Sequence, residues 1–215
     1  GLQGAKSKGD TTIGNIELAP GKYLKSDNVY VDTAASDIDA AIRTALETLK
    51  KHGCTCFVAA EAFSVDDPAR ENRTVELCKD MGLPGTATND ISKLYGLKIR
   101  TRTAVVNASI MPKMLEAATM TDQSIKAAGI ESPLMVMRCD GGVMTVDEVR
   151  NRPILTILSG PAAGVAGALM YEKLTDGLFF EVGGTSTDIS CVKDGKVMIR
   201  YAEVGGHKTY LNSLD

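Results

Sequence analysis

The feature that most constrains the fold is a series of strand-like runs between residues 178 and 201, interrupted by a turn of small residues. Leu178-Phe179-Phe180-Glu181-Val182 reads as a strand and Gly183-Gly184-Thr185-Ser186-Thr187 as a bend. Asp188-Ile189-Ser190-Cys191-Val192 reads as a second strand, and Asp194-Gly195 turns the chain tightly into Val197-Met198-Ile199-Arg200-Tyr201. Paired glycines let a backbone approach an anion with no side chain in the way, and their amides can converge on it. The hydroxyls of Thr185, Ser186 and Thr187 can donate to phosphate oxygens or hold water around Mg²⁺, an ion that keeps much of its hydration shell. Glu181 and Asp188 flank the bend as candidate partners of that water shell, and Asp188 is also a candidate catalytic carboxylate. The bend leads into a strand and lacks the Gly-x-x-x-x-Gly-Lys pattern. It is therefore neither a Walker loop nor a dinucleotide fingerprint.

Upstream, helical and extended patterns alternate. Residues 37–51 carry Ile38, Ile42, Ala45, Leu46 and Leu49 on one face, with Ser36 as the expected cap and Gly53 after the end. Residues 54–60 read as a buried strand. A second helix is expected to open with Pro68 at its first position and run to residue 82, before a short strand near Thr86-Ala87-Thr88. This rhythm implies a mostly parallel sheet with helices on it. Residues 101–128 read as helical, divided or kinked at Pro112. A strand at 134–137, a short helix near 146–150, a strand at 154–158 and a helix at 161–173 complete the pattern. The first dozen residues are expected to be unstructured, and the domain boundary to fall within 121–132.

Charge and composition remove several function classes. The net charge is -3 with both signs interspersed, and no basic stripe exists for nucleic acid. Five scattered cysteines argue against a disulfide framework and for a reducing compartment. Residues 153–171 carry no charge, but Ser159-Gly160-Pro161 breaks the run, so a strand and a buried helix are expected in place of a membrane span. Cys54 and Cys56 lack a second pair at zinc spacing and read as core residues, with Cys139 and Cys191 as strand-end packing. Met111, Met114 and Met120 read as core filling. His52 falls in the last turn of a helix, where a cation suits the dipole. No Ser/His/Asp grouping is evident among the two histidines, His52 and His207.

Two more segments are candidates for an interlobe or substrate role. Asp140, Gly141 and Gly142 follow a strand at the edge where ligands of open α/β sheets gather, and Asp140 is a second candidate catalytic carboxylate. Ser159 and Gly160 open a helix in which Gly160, Gly164 and Gly167 recur at spacings of four and three. Such glycines cost about 1 kcal/mol each against alanine in a helix interior, which suggests a close approach to another backbone or a ligand.

A Gly160-Pro161-Ala162-Ala163 helix, a strand into Gly183-Gly184-Thr185-Ser186-Thr187-Asp188 and a following hairpin resemble the second half of the actin/sugar-kinase/heat-shock-chaperone ATPase fold. The order of Cys139-Asp140-Gly141-Gly142-Val143-Met144, Arg152-Pro153, Leu158 to Gly164 and Glu181 to Asp188 is closer still to the hydantoinase A/oxoprolinase family. Asp67-Pro68, Leu83-Pro84-Gly85 and Arg102 to Asn107 sit where that family has similar runs. The likeness covers residues 20–214. It departs where the family has Asp in place of Glu181, and it lacks the family's earlier Gly-Gly-Thr loop and its later adenosine-binding segment.

The resemblance implies an α/β protein of the actin-like ATPase (ribonuclease H-like) fold, with mixed sheets flanked by helices. Residues 1–125 would end a first lobe and residues 126–215 begin a second, the whole being an internal piece of a longer cytoplasmic protein. It further implies ATP held by Gly183, Gly184, Thr185, Ser186, Thr187 and Asp188, with Mg²⁺ near Glu181 and Asp188 through water. The implied activity is ATP-dependent hydrolysis of a cyclic amide such as a hydantoin or 5-oxoproline. Alternatives are a carboxylating ligase of the acetone carboxylase kind and a non-catalytic, nucleotide-driven reactivase. A hydantoinase B-like subunit and oligomerisation are expected of the intact protein, and no nucleic acid or membrane. With one of two phosphate loops, the 215-residue chain is expected to bind ATP weakly and hydrolyse none.

Overall fold

The computed structural model describes residues 5–173, 175–184 and 186–214. It divides into two compact units: Gly1–Pro112 with Glu203–Tyr210, and Lys113–Ala202 with Leu211–Asp215.

The first unit begins with α1 (Ala5–Thr11), a helix where the sequence suggested no order, and an antiparallel pair, β1 (Ile16–Ala19) and β2 (Lys22–Leu24). An extended stretch leads to α2 (Ile38–Lys51). Its cap is Asp37, not Ser36: the Asp37 carboxylate accepts from the Ala40 N–H at 2.9 Å, a bond to the third residue beyond the cap. Next come β3 (Phe57–Ala59), α3 (Ala69–Asp80) and β4 (Gly85–Ala87), with Pro68 one position before α3. β3 and β4 are parallel, in register from Phe57 opposite Gly85 to Ala59 opposite Ala87. Ile42 and Leu46 of α2, Phe57, and Leu77 and Cys78 of α3 form the core here, with Val31, Ile38 and Leu49 packed around them. This is the helix-on-sheet layer that the alternation implied.

A short α4 (Thr88–Ile91) precedes α5 (Leu97–Ala127), which continues through Pro112 as one helix, with no amide at that position to donate to Ala108. Met111 is buried, whereas Met120 is 60% exposed and fills no core.

In the second unit β5 (Met135–Met137) and β6 (Val143–Thr145) form an antiparallel hairpin, followed by α6 (Val146–Asn151). Ala118, Met144, Val146 and Val149 form its core, with Met114, Leu134, Val136 and Leu155 around them. Where a strand was expected at 154–158, residues 153–156 form a 3₁₀ turn: Pro153 supplies the φ of a helical first position, and Ile157 N–H closes the turn on the Ile154 carbonyl. α7 (Ser159–Glu172) leads to β7 (Gly177–Val182), β8 (Thr187–Lys193) and β9 (Lys196–Val197), an antiparallel three-stranded sheet. Asp194 and Gly195 both have positive φ, 53° and 68°, the signature of a tight hairpin turn. β10 (Ile199–Val204) and β11 (His207–Leu214) follow as a two-stranded sheet, of which Glu203–Tyr210 belongs to the first unit.

The sheets are small and, in place of the mostly parallel arrangement expected from the alternation, largely antiparallel. Among the described pairs with a defined register, only β3–β4 is parallel, because the other joined strands are linked by turns too short for a crossover. No described helix is long and apolar enough to cross a membrane.

Candidate functional site

The β7–β8 hairpin presents the glycine bend at its tip. Register pairs Glu181 with Asp188 and Val182 with Thr187, so the two carboxylates stand opposite each other just before the chain reverses. Gly183 N–H donates to the Ser186 carbonyl at 2.9 Å and closes the bend. That amide is therefore engaged within the turn and does not join an anion nest. Gly183, Gly184, Ser186 and Thr187 are exposed, and a Cβ placed on Gly184 would meet nothing within 4 Å. The hydroxyls of Ser186 and Thr187 bond to no other described residue. Thr185 lies outside the described residues.

The inner face of β7 is set by α7. A Cβ on Gly164 would lie 2.7 Å from a Glu181 carboxylate oxygen and 3.0 Å from the Phe179 ring, so glycine is what lets helix and strand meet there. Gly160 and Gly167 have open space instead, and the three glycines do not share one role. Glu181 Oε2 is enclosed by this packing and has no hydrogen-bond partner among the described residues. Leaving a buried carboxylate oxygen unpaired is costly, and a cation or its bound water would satisfy it. No described group of His, Cys, Asp and Glu has the arrangement of a direct metal site, so a metal here would be held through water.

The two interlobe candidates differ from the bend. Asp140 is tied into its own turn: one oxygen accepts from the Gly142 N–H at 3.1 Å, and the other pairs with the Arg138 guanidinium. Gly141 has φ +83° within this turn. Ser159 starts α7 after Leu158 at a left-handed φ of 60°, with no side chain capping the helix, and Gly160 is exposed.

The buried cysteines are poor nucleophiles. Burial pushes the thiols of Cys56, Cys78 and Cys139 up to about 11. Cys191 is exposed on β8, not packed at a strand end, because the alternation along β8 turns it to the face opposite Ser190 and Val192.

Sequence reasoning missed a buried polar network in the first unit. Glu71, Thr88, Asn89 and Arg100 are all no more than 1% exposed. Glu71 accepts from the Glu61 N–H at 2.7 Å, the Thr88 hydroxyl at 2.6 Å, and the Asn89 N–H and side-chain amide at 2.8 and 2.9 Å. Arg100 Nε donates to Thr88 at 2.9 Å, and its Nη2 donates to the Glu61 carbonyl and Ser64 hydroxyl, each at 3.1 Å. Burial lowers the Arg100 pKa, and the Glu71 charge opposes that shift. The signal available in the sequence was the polar spacing of Asn89, Arg100, Thr103 and Asn107, a set too polar for an ordinary core face.

Comparison with known proteins adds identity to this geometry. The sequence profile of the family described as Hydantoinase/oxoprolinase matches residues 100–215, more than half of the chain. The chain is 26% identical to 5-oxoprolinase of Saccharomyces cerevisiae over 164 residues, 74% of this chain and 12% of that protein. It is 27% identical to the acetophenone carboxylase gamma subunit of Aromatoleum aromaticum over 169 residues, 73% of this chain and 22% of that subunit. The crystal structure of ATP-dependent caprolactamase from Pseudomonas jessenii superposes with a TM-score of 0.70 at 21% identity, covering 87% of this chain and 28% of that one. The chain thus spans well under a third of each of these proteins. The structural likeness bears out the expected actin-like ATPase fold.

Proposed function

This chain belongs to the hydantoinase/oxoprolinase family, and from that premise we propose that the protein hydrolyses a cyclic amide at the expense of ATP, with the β7–β8 bend gripping the terminal phosphates. The observation that carries this reading is the open hairpin tip, where glycine and hydroxyls that bond to no other described residue stand beside two opposed carboxylates.

The residues fit a nucleotide with its metal. Gly184 is exposed and leaves room for a phosphate to reach the backbone. Ser186 and Thr187 can donate to phosphate oxygens. Glu181, through its unpartnered oxygen, and Asp188 can accept from the waters of Mg²⁺. ATP and Mg²⁺ would supply an activated phosphoryl group and the charge compensation that makes an amide oxygen a good leaving group. The protein's contribution at this hairpin is positioning: Gly164 seats β7 against α7 and so fixes Glu181 and Asp188 in place.

A second reading is a carboxylating ligase, favoured by the match to the acetophenone carboxylase gamma subunit. Steady-state ATP turnover by the intact protein separates the two. Stimulation by 5-oxoproline or a lactam supports hydrolysis, and stimulation by a ketone with bicarbonate supports carboxylation. Gly184→Val is expected to lower lactam-dependent turnover at least about a hundredfold, the scale of losing one positioned donor. Full turnover in this variant would remove the bend from the mechanism.

A further inference from the structure

Along the β7–β8 hairpin the alternation of side chains produces two unlike faces. Phe179 and Glu181 turn toward α7, as their approach to Gly164 shows, and Ser190 and Val192 of β8 are buried on that side. The opposite face carries Leu178, Phe180 and Val182 of β7, which the register sets against Cys191, Ile189 and Thr187 of β8. Leu178, Phe180, Val182 and Ile189 are 61, 54, 78 and 56% exposed, and Cys191 is exposed as well.

An antiparallel sheet with one face packed usually turns polar side chains to water on the other. This hairpin does not. Four exposed side chains of this size leave on the order of 400 Å² of contiguous apolar surface, the scale at which a patch on a soluble chain marks an interaction surface.

Area and charge decide what fits there. A stable interface of standard size buries about 800 Å² on each partner, a little over half of it apolar. The patch supplies about that apolar share from one copy of the chain, and a second copy supplies the same from an identical face. Between Thr187 at one end and Lys193 at the other, the face holds no charged side chain, so pairing it with itself buries no ion. Two such faces can stack about 10 Å apart with their side chains interdigitated.

Charge also selects the orientation. Lys193 stands opposite Lys196 in the register, which makes one end of the face basic. A two-fold axis along the strands would set each lysine pair level with its counterpart. An axis across the strands sets it level with the uncharged end of the other copy, and the like charges stay apart.

We propose that this outer face is the interface of a homodimer, two copies packing sheet on sheet with their hairpins antiparallel. Phe180 and Ile189 lie at its centre, Leu178 of each copy faces Val182 of the other, and Cys191 is covered. The interface uses neither Gly184 nor the two carboxylates, so it stands independently of the nucleotide reading.

The test uses the 215-residue chain without nucleotide. At about 50 µM, above the micromolar constants at which interfaces of this size begin, sedimentation equilibrium should give the mass of a dimer. Phe180→Asp puts a charge at the centre of the face and should give a monomer with an unchanged circular dichroism spectrum. Tyr171→Asp, at an 86% exposed position of α7 on the other side of the sheet, should leave the dimer intact. Alkylation of Cys191 by iodoacetamide, located by peptide mapping, should be at least about fivefold slower in the wild type than in Phe180→Asp, following the dimer fraction. Should Phe180→Asp lose its fold, Val182→Asp replaces it in both measurements. A wild-type monomer leaves the face to some other occupant and overturns the proposal. A dimer that survives the aspartate on the face, or that leaves Cys191 as reactive as in the variant, has its interface elsewhere and overturns it equally.

Discussion

In the first unit the Glu71 carboxylate is enclosed and accepts four hydrogen bonds, whereas in the second the Glu181 carboxylate has an enclosed oxygen that accepts none. Both belong to acidic side chains packed between a helix and a strand, yet their roles diverge. A saturated network has no capacity left for a ligand and acts as structure, here by holding the loop at Glu61. An unsaturated group beside an open glycine bend has capacity to spare and marks a place where something else completes the coordination. Polar satisfaction, more than polarity, separates scaffold from site in this chain.

The most severe way to break that contrast is Glu71→Ala. It leaves the Arg100 guanidinium buried without its opposite charge and strands the donors of Glu61, Thr88 and Asn89. Breaking such a buried pair costs about 3–5 kcal/mol, which urea denaturation would record as a large fall in midpoint. A loss under about 1 kcal/mol would show that the network is not the scaffold described.

Glu181→Gln sharpens the comparison from the other side. The neutral side chain keeps the shape and removes the carboxylate whose enclosed oxygen has no partner among the described residues, so stability should hold or rise by up to about 1 kcal/mol. Denaturation of this variant alongside Glu71→Ala therefore gives opposite signs if the two carboxylates differ as argued. A destabilisation equal to that of Glu71→Ala would erase the distinction.

The smallest expected effect comes from a pair that is neither network nor site. His52 Nδ1 lies 2.5 Å from Asp27, in the open at the end of α2. The Asp27 carboxyl is held below its ordinary value of 3.8, first by the His52 hydrogen bond and then by that from the Asn28 N–H. A carboxyl whose pKa is lower in the folded state contributes stability above its unfolded pKa and loses it as the pH falls through the folded value. The difference in urea midpoint between wild type and His52→Gln should therefore be present at pH 6 and shrink below about pH 4. A gap unchanged down to pH 2 would assign it to something other than this carboxylate.

Much of the fold was legible because it rests on short-range chemistry. The apolar spacing of Ile42, Ala45, Leu46 and Leu49 gave α2, and the alternation of residues 178–193 gave a two-faced hairpin. Asp194-Gly195 gave its turn. The errors fell where two local rules competed. Ser36 and Asp37 can both cap, and the choice depends on which residue enters the first turn. Residues 154–158 are apolar enough for a strand, but Pro153 starts a helical turn that takes in residues up to Thr156. Asp140 stands at a strand end, as its place in the sequence implied, and only the structure shows its oxygens bonded to Arg138 and Gly142 of the same turn.

The sequence by itself determined the order of elements, the glycine bend and the family pattern, since each depends on neighbours within a few residues, whose preferences are written locally. Only the tertiary structure decided which carboxylate is satisfied and which is not, because the partners of Glu71 lie 10 to 18 residues away. It alone showed that Gly164 exists for Glu181 and Phe179, and that α2, β3 and the stretch before α2 enclose a cavity. Those facts arise from the meeting of distant surfaces, and no local preference of the chain encodes them.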